Sequence, residues 1–355
     1  MEPLPKDCST EENSTAFELN NGMQIPFLGF ATAAYIFEKL YRERATRHVY
    51  EAVKVGYRLI DCAYLYQNEG YVGTGLRDLL ERNIVKRSVF CLLKSLKTKL
   101  TLYCICLCNC REDLFITSKL WNTFHRPECI ERAICTTLKD LRLKYLDLYL
   151  MHWPMGYQEG GDLIPRDACG RVKFSDVDFV DTWQAMEKLV EGGVTKSIGL
   201  MNFNKSQIER ILDICSIPPV VNQVECHPYL TQAKLKAYCK KQRILLICYC
   251  PLGSLAQPDS CRESRLLDHE WVKRLKYKHE KTAAQILIRY QIQRGNVPIP
   301  MAATKEEIMR NFDVFDWCLD KEDMKDLDSM NQNKRFVSLV RDAGRHKYFP
   351  FWDEY

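Results

Sequence analysis

Residues 146–154 read LDLYLMHWP, an almost unbroken apolar run that stops at a histidine, a tryptophan and a proline. A run apolar at consecutive positions suits a strand covered on both faces, as in a parallel sheet flanked by helices. The same texture recurs along the chain. Short β-rich runs fall at 26–32, 57–62, 114–120, 146–153, 196–202, 220–226, 244–249 and 297–301. Amphipathic stretches such as 72–83, 128–141, 181–191, 232–241 and 283–294 lie between them. This alternation, with room for a helix after every strand, predicts an α/β fold of the closed (β/α)8 TIM barrel kind. A doubly wound open sheet is the alternative, but no GxGxxG turn follows an early strand, so the dinucleotide fingerprint of that fold is missing.

Composition narrows the function classes. The 355 residues are 46% hydrophobic and 27% charged, which excludes a disordered chain. With 51 basic and 46 acidic side chains the net charge is only +5, and no basic block offers the field a nucleic-acid binder needs. No apolar stretch is long enough for a membrane helix, and the N-terminus carries no targeting signal. Seventeen cysteines, many placed singly in apolar runs as Cys135, Cys215 and Cys248 are, predict unpaired thiols and a cytoplasmic setting.

Three segments interrupt the alternation. Residues 1–16 read as a flexible N-terminal extension to a single domain spanning 17–355. The stretch 154–178, directly after a strand, is where a barrel enzyme carries a substrate loop. An atypical insert at 88–110 holds Cys104, Cys106, Cys108 and Cys110. Alternate cysteines on an extended chain point to one side and do not close a tetrahedron, so no metal is expected there. An insert that disturbed the following strand would displace Lys119.

Barrel enzymes set their chemistry at the C-terminal ends of the strands. The second strand ends in Asp61, with Tyr66 shortly after it at the start of the next helix. The third ends in Lys119 and the fourth in His152; the fifth to seventh end near Asn202, Gln223 with Glu225, and Tyr249. A phenol, with a reference pKa of about 10, is a poor acid unless its anion is stabilised. A nearby ammonium does that, and a carboxylate holds the ammonium in place. An imidazole then orients a carbonyl or donates to it. Such a set suits proton delivery to a carbonyl oxygen during hydride addition, with the hydride supplied by a cofactor.

At these residues the chain resembles the aldo-keto reductase superfamily, closest in texture to the aldose reductase and hydroxysteroid dehydrogenase branch. The resemblance is carried by GYRLIDCAYLYQNEGYVG (56–73), LFITSKLW (114–121), YLMHWP (149–154), KSIGLMNFN (196–204), VNQVECHPY (221–229), YCPLGS (249–254) and the tail FPFWDEY (349–355). It implies a (β/α)8 barrel that uses NADPH, with NADH as a second possibility, to reduce aldehydes and ketones. By position it makes Tyr66 the general acid, Lys119 and Asp61 its activating pair, and His152 the carbonyl-orienting group. It assigns Asn202 and Gln223 to the nicotinamide carboxamide, Tyr249 to the face of the ring, and Leu252 and Ser254 to the pyrophosphate loop. Thr32 and Asn311 complete the cofactor set, and Trp121 and Trp153 line the substrate pocket.

The chain departs from the family pattern where phosphates are gripped. Met201 replaces a serine, and Met301 and Ala302 replace a lysine and a serine. Glu307 stands where an arginine is expected to face the adenosine 2′-phosphate, and Ala33 replaces an aromatic. Each lost phosphate-binding cation removes charge-assisted hydrogen bonds of about 1.5–3 kcal/mol, with Lys305, Arg310 and Asn311 nearby as substitutes. The expectation is therefore an NAD(P)H-dependent carbonyl reductase, monomeric, acting on a small molecule with no nucleic-acid or membrane partner. The rival is a catalytically weak or inactive barrel that binds nucleotide or a partner protein. The aromatic tail, with Tyr348, Phe349, Phe351 and Trp352, admits aromatic, steroidal and sugar-derived carbonyls alike.

Overall fold

The structure, a computed structural model, describes residues 15–33, 39–82, 111–253 and 265–353. The insert at 88–110, most of the N-terminal extension and Ser254 lie outside the described residues.

The chain opens with an antiparallel hairpin of β1 (Ala16–Glu18) and β2 (Gln24–Pro26). Eight parallel strands follow: β3 (Gly29–Ala31), β4 (Leu59–Asp61), β5 (Phe115–Leu120), β6 (Leu148–Met151), β7 (Ile198–Met201), β8 (Val221–Glu225), β9 (Leu245–Tyr249) and β10 (Val297–Pro298). They pair strictly in sequence order from β3 to β10. Ala31 N–H then donates to Pro300 C=O at 3.2 Å, bringing the first barrel strand back to the last. This is the expected (β/α)8 barrel.

The helices α1 (Lys39–Val55), α2 (Glu69–Glu81), α3 (Pro127–Leu141), α4 (Phe179–Glu191), α5 (Lys205–Leu212) and α6 (Ala233–Lys241) alternate with the strands from β3 to β9, and α7 (Glu270–His279) and α8 (Ala283–Gln293) both lie between β9 and β10. After β10 come α9 (Lys305–Phe312), α10 (Lys321–Ser329) and α11 (Val340–Ala343). No helix among the described residues is long and apolar enough to cross a membrane.

Alternation along each strand splits the core in two. In β6, Leu148 and Leu150 join the barrel interior with Leu59, Phe115, Val221 and Ile247, while Tyr149 and Met151 pack outward with Ile134 and Trp183 of the helices. Leu19 and Ile25 of the hairpin region belong to the interior cluster, so the hairpin plugs the N-terminal end of the barrel. Gly199 is forced at its position, because a Cβ there would stand 2.8 Å from both Leu150 and Val221 side chains.

Three expectations need correction. The run at 26–32 is not one strand: Pro26 ends β2, and the barrel strand begins at Gly29. Ala16, expected in the extension, opens β1. The third concerns cysteines: all ten described are unpaired, but Cys135 is exposed on α3 and Cys215 half-buried, and only Cys248 of the three is a core residue.

The strand that follows the insert is intact. β5 pairs with β4 and β6 in continuous register, and all six of its residues are buried. Arg111, at its entry, donates to Leu114 C=O at 2.7 Å and contacts Asp147 at 2.7 Å, while Asp147 accepts Ile116 N–H at 2.9 Å.

Candidate active site

Strand parity decides which side chains reach the mouth of the barrel. Leu59 faces inward, so Asp61 does too; the same count from Phe115 gives Lys119, from Val221 gives Gln223 and Glu225, and from Ile247 gives Tyr249. One step beyond β6, His152 follows Leu148 and Leu150 on the inward face. The rim residues marked by strand ends are thus brought together.

The centre of the group is an ion pair with no exposure to water. Lys119 Nζ lies 2.6 Å from Asp61 Oδ2 and donates to Cys62 C=O at 2.7 Å, with both charged side chains at 1% exposure or less. Gln223 Nε2 donates to the other Asp61 oxygen at 2.9 Å. Thr32 Oγ1 donates to Asp61 C=O at 2.9 Å, and Asn68 Nδ2 donates to Thr32 C=O at 2.8 Å. Each partner satisfies a group that would otherwise be costly to bury.

Tyr66 lies above this pair in a 3₁₀ turn, Tyr64–Tyr66, rather than at the start of α2, which begins at Glu69. The Lys119 ammonium is 5.4 Å from its ring centroid. Burial first, then the Asp61 carboxylate, pushes the phenol well above its ordinary range, so Tyr66 is a protonated donor at neutral pH. The sequence reading had the ammonium pulling the phenol down; here that ammonium faces Asp61 and the Cys62 carbonyl. His152 is buried, and burial together with the Lys119 charge holds it well below its usual range, so it is neutral.

The cofactor-side residues divide. Tyr249 Oη donates to Asn202 Oδ1 at 2.8 Å, and Asn202 Nδ2 donates to His152 C=O at 3.2 Å, so each end of the Asn202 amide has one partner within the chain and capacity for a second. Asn202 reaches this position through a left-handed backbone, φ +63°, which breaks the strand parity. Gln223 Oε1 is buried without a partner among the described residues, an acceptor suited to the N–H of a carboxamide. Leu252, just after β9, and Asn311, in α9, are buried. Met201 and Met301 pack in the interior cluster and offer no donor for a phosphate.

Trp121 and Trp153 stand in a separate apolar cluster with Leu65, Tyr157 and Phe349, and Tyr66 packs against it. Trp121 stacks edge-on to His152 at 5.1 Å and donates to Leu163 C=O at 2.7 Å, fixing the 154–178 loop above the mouth. Trp153 meets Phe351 of the tail at 5.6 Å. Two tethers escaped the sequence reading. Glu225, noted only as a strand-end acid, accepts the N–H groups of Phe336 and Val337 at 2.6 and 2.9 Å and so clamps the tail. Glu69 is buried and accepts Ser118 Oγ at 2.6 Å and Thr137 Oγ1 at 3.0 Å, tying the turn after Tyr66 to the strand of Lys119. No cluster of three or more potential metal ligands occurs among the described residues.

Comparison with known proteins agrees with this fold. The family model described as Aldo/keto reductase family matches residues 28–332. The chain is 41% identical to aldo-keto reductase family 1 member A1 of Gallus gallus, over 95% of this chain and 97% of that protein. It is 41% identical to prostaglandin-E(2) 9-reductase of Oryctolagus cuniculus and 40% to estradiol 17 beta-dehydrogenase 5 of Mus musculus, each over 95% of this chain and 97% of that protein. A solved aldose reductase from Schistosoma japonicum superposes with a TM-score of 0.82 at 39% identity, covering 96% of this chain and all of that one. Fold and sequence agree, and the chain belongs to the aldo/keto reductase family.

Proposed function

We propose that this chain reduces small-molecule aldehydes and ketones to alcohols by hydride transfer from a reduced nicotinamide dinucleotide. The family resemblance names NADPH as donor, with NADH as the second. The observation that carries the reading is the buried Asp61–Lys119 pair beneath a protonated Tyr66, with neutral His152 in the same mouth.

When bound, the dinucleotide supplies the hydride. Gln223 Oε1 and Asn202 would hold its carboxamide and the Tyr249 ring would back it, with Thr32, Leu252, Ser254 and Asn311 along the rest of its length. His152 donates a hydrogen bond to the carbonyl oxygen and orients it. As negative charge builds on that oxygen, Tyr66 gives up its phenolic proton, and the Lys119 ammonium stabilises the phenolate left behind. Asp61 holds Lys119 in place through their 2.6 Å contact. The Trp121–Trp153 cluster excludes water and receives the apolar part of the substrate. A monomer in the cytoplasm is the expected setting, in keeping with the unpaired cysteines.

A second reading, a barrel that binds nucleotide or a partner protein without turnover, draws on Met301, Ala302 and Glu307 at the phosphate corner. An assay of purified protein with aromatic and aliphatic aldehydes and either dinucleotide decides between them. Turnover that Tyr66→Phe abolishes supports the enzyme. A folded chain that turns over no carbonyl with either donor supports the second reading.

A further inference from the structure

Cys226 and Cys248 are both fully buried, and neither belongs to the group at the mouth of the barrel. They stand on neighbouring parallel strands. Val224 pairs with Cys248 and Glu225 with Tyr249, and Cys226 N–H continues the ladder by donating to Tyr249 C=O at 3.3 Å. Because Glu225 and Tyr249 face inward, alternation turns Cys226 and Cys248 together to the outer face that the helices cover. There the two sulfurs converge on one atom. Cys226 Sγ lies 3.6 Å and Cys248 Sγ 3.5 Å from Gln291 Oε1 of α8. That oxygen also accepts Asn296 Nδ2 at 2.8 Å, and Gln291 Nε2 donates to Cys226 C=O at 3.2 Å. Gln291 therefore stays bonded at both ends if both thiol protons leave.

The two sulfurs are not equivalent. Arg294 Nη1 donates to Cys226 Sγ at 3.5 Å, and the Lys236 charge is also near. A hydrogen bond from Cys248, aided by these cations and opposed by burial, draws the Cys226 thiol below its ordinary range. Burial and the bond to Cys226 push the Cys248 thiol up. A sulfur held beside cations, with a protonated thiol in contact with it, is the arrangement of an attacking and a resolving cysteine. Arg294 is half-buried, so moving one side chain admits an oxidant as small as hydrogen peroxide.

We propose that Cys226 and Cys248 close to a reversible disulfide under hydrogen peroxide, and that closure loosens the hold of Glu225 on the C-terminal tail. The Cys226 thiolate attacks one peroxide oxygen. The O–O bond breaks, a sulfenic acid forms, and the hydroxide released takes up a proton and leaves as water. The Cys248 sulfur then loses its proton and displaces the sulfenic oxygen, so that the S–O bond breaks, the S–S bond forms and a second water departs. The two thiols give up two electrons, and peroxide accepts them. Residues two positions out of register must approach to a Cα separation of about 4.4–6.8 Å for the bond to form, which draws β8 and β9 past each other. Glu225 adjoins Cys226 and holds the N–H groups of Phe336 and Val337, so the shift reaches the tail.

The test treats the folded, fully reduced chain with hydrogen peroxide, blocks the remaining thiols by alkylation and maps linked peptides by mass spectrometry. A Cys226–Cys248 linkage should appear, with loss of both thiols. Dithiothreitol should reverse it, and Cys226→Ser and Cys248→Ala should each abolish it. Trypsin should cut the oxidised parent faster than the reduced parent between Lys334 and Lys347, while peroxide-treated Cys248→Ala is cut at the reduced rate. A folded chain that forms no such linkage, or forms it only after unfolding in urea, overturns the proposal. So does a linked chain whose tail is cut no faster. Neither readout requires turnover, so both are independent of the hydride-transfer reading.

Discussion

Two corners of the same rim are built on different principles. At the ends of β4, β5 and β8, Asp61, Lys119 and Gln223 are buried, and each is held by partners far away in the chain. After β10, Thr304 and Glu307 are exposed, and they bond to each other across a single helical turn. In the first corner geometry is imposed by strand register, and any charge there must be paired because burial makes an unpaired one costly. In the second, water screens the charges and a substitution is tolerated. Chemistry is therefore expected to be fragile at the first corner, while the second is expected to tolerate substitution.

The largest effect should come from removing one half of the buried pair. Lys119→Met leaves Asp61 buried without its cation, and unfolding in urea should show a loss of about 3–5 kcal/mol together with loss of reduction. An unchanged urea midpoint would mean that the pair carries no structural burden. Tyr66→Phe removes only a hydroxyl from a partly exposed ring. Stability should hold while kcat falls by about 10²–10⁴-fold, and a kcat within a few-fold of the parent would remove Tyr66 from the proton-transfer role.

Glu69 sharpens the contrast through pH. Burial raises its carboxyl from 4.5 to about 7, despite the opposing hydrogen bonds from Ser118 and Thr137. The folded chain therefore holds a proton that the unfolded chain releases between those values, and stability attributable to Glu69 is lost as pH rises through that window. Glu69→Gln should flatten this dependence, so that its stability relative to the parent grows by about 3 kcal/mol from the bottom of the window to the top. Parallel curves for parent and variant in urea melts across the window would rule this out. The smallest effect belongs to the exposed corner: Thr304→Ala removes a cap and should cost only about 1 kcal/mol by thermal unfolding. A much larger loss would show that this corner is as tightly coupled to the barrel as the other.

The barrel strands were legible because each is buried on both faces, which leaves a near-continuous apolar run such as LDLYLM. The hairpin was not. Its strands have three residues each, too few for alternation to register, and Pro26 reads equally well as the start of the next strand. Among the site residues, those ending strands were legible by counting. The Cys62 carbonyl that accepts from Lys119 belongs to the backbone and leaves no mark in the sequence. Glu69 leaves no mark in the sequence, because its partners Ser118 and Thr137 are 49 and 68 positions away. The Thr304–Glu307 box, by contrast, joins residues three positions apart and follows from local spacing.

What the sequence determined by itself is the order of strands and the identity of the groups at their ends. Side-chain alternation is a property of the extended backbone and needs no tertiary contact to operate. The tertiary structure alone decided the state of those groups. Lys119 is paired with a carboxylate 58 positions away, Tyr66 keeps its proton because burial and Asp61 oppose its loss, and Gln223 retains one free acceptor. Charge state depends on burial and on the distance to other charges, and those distances exist only once the barrel has closed.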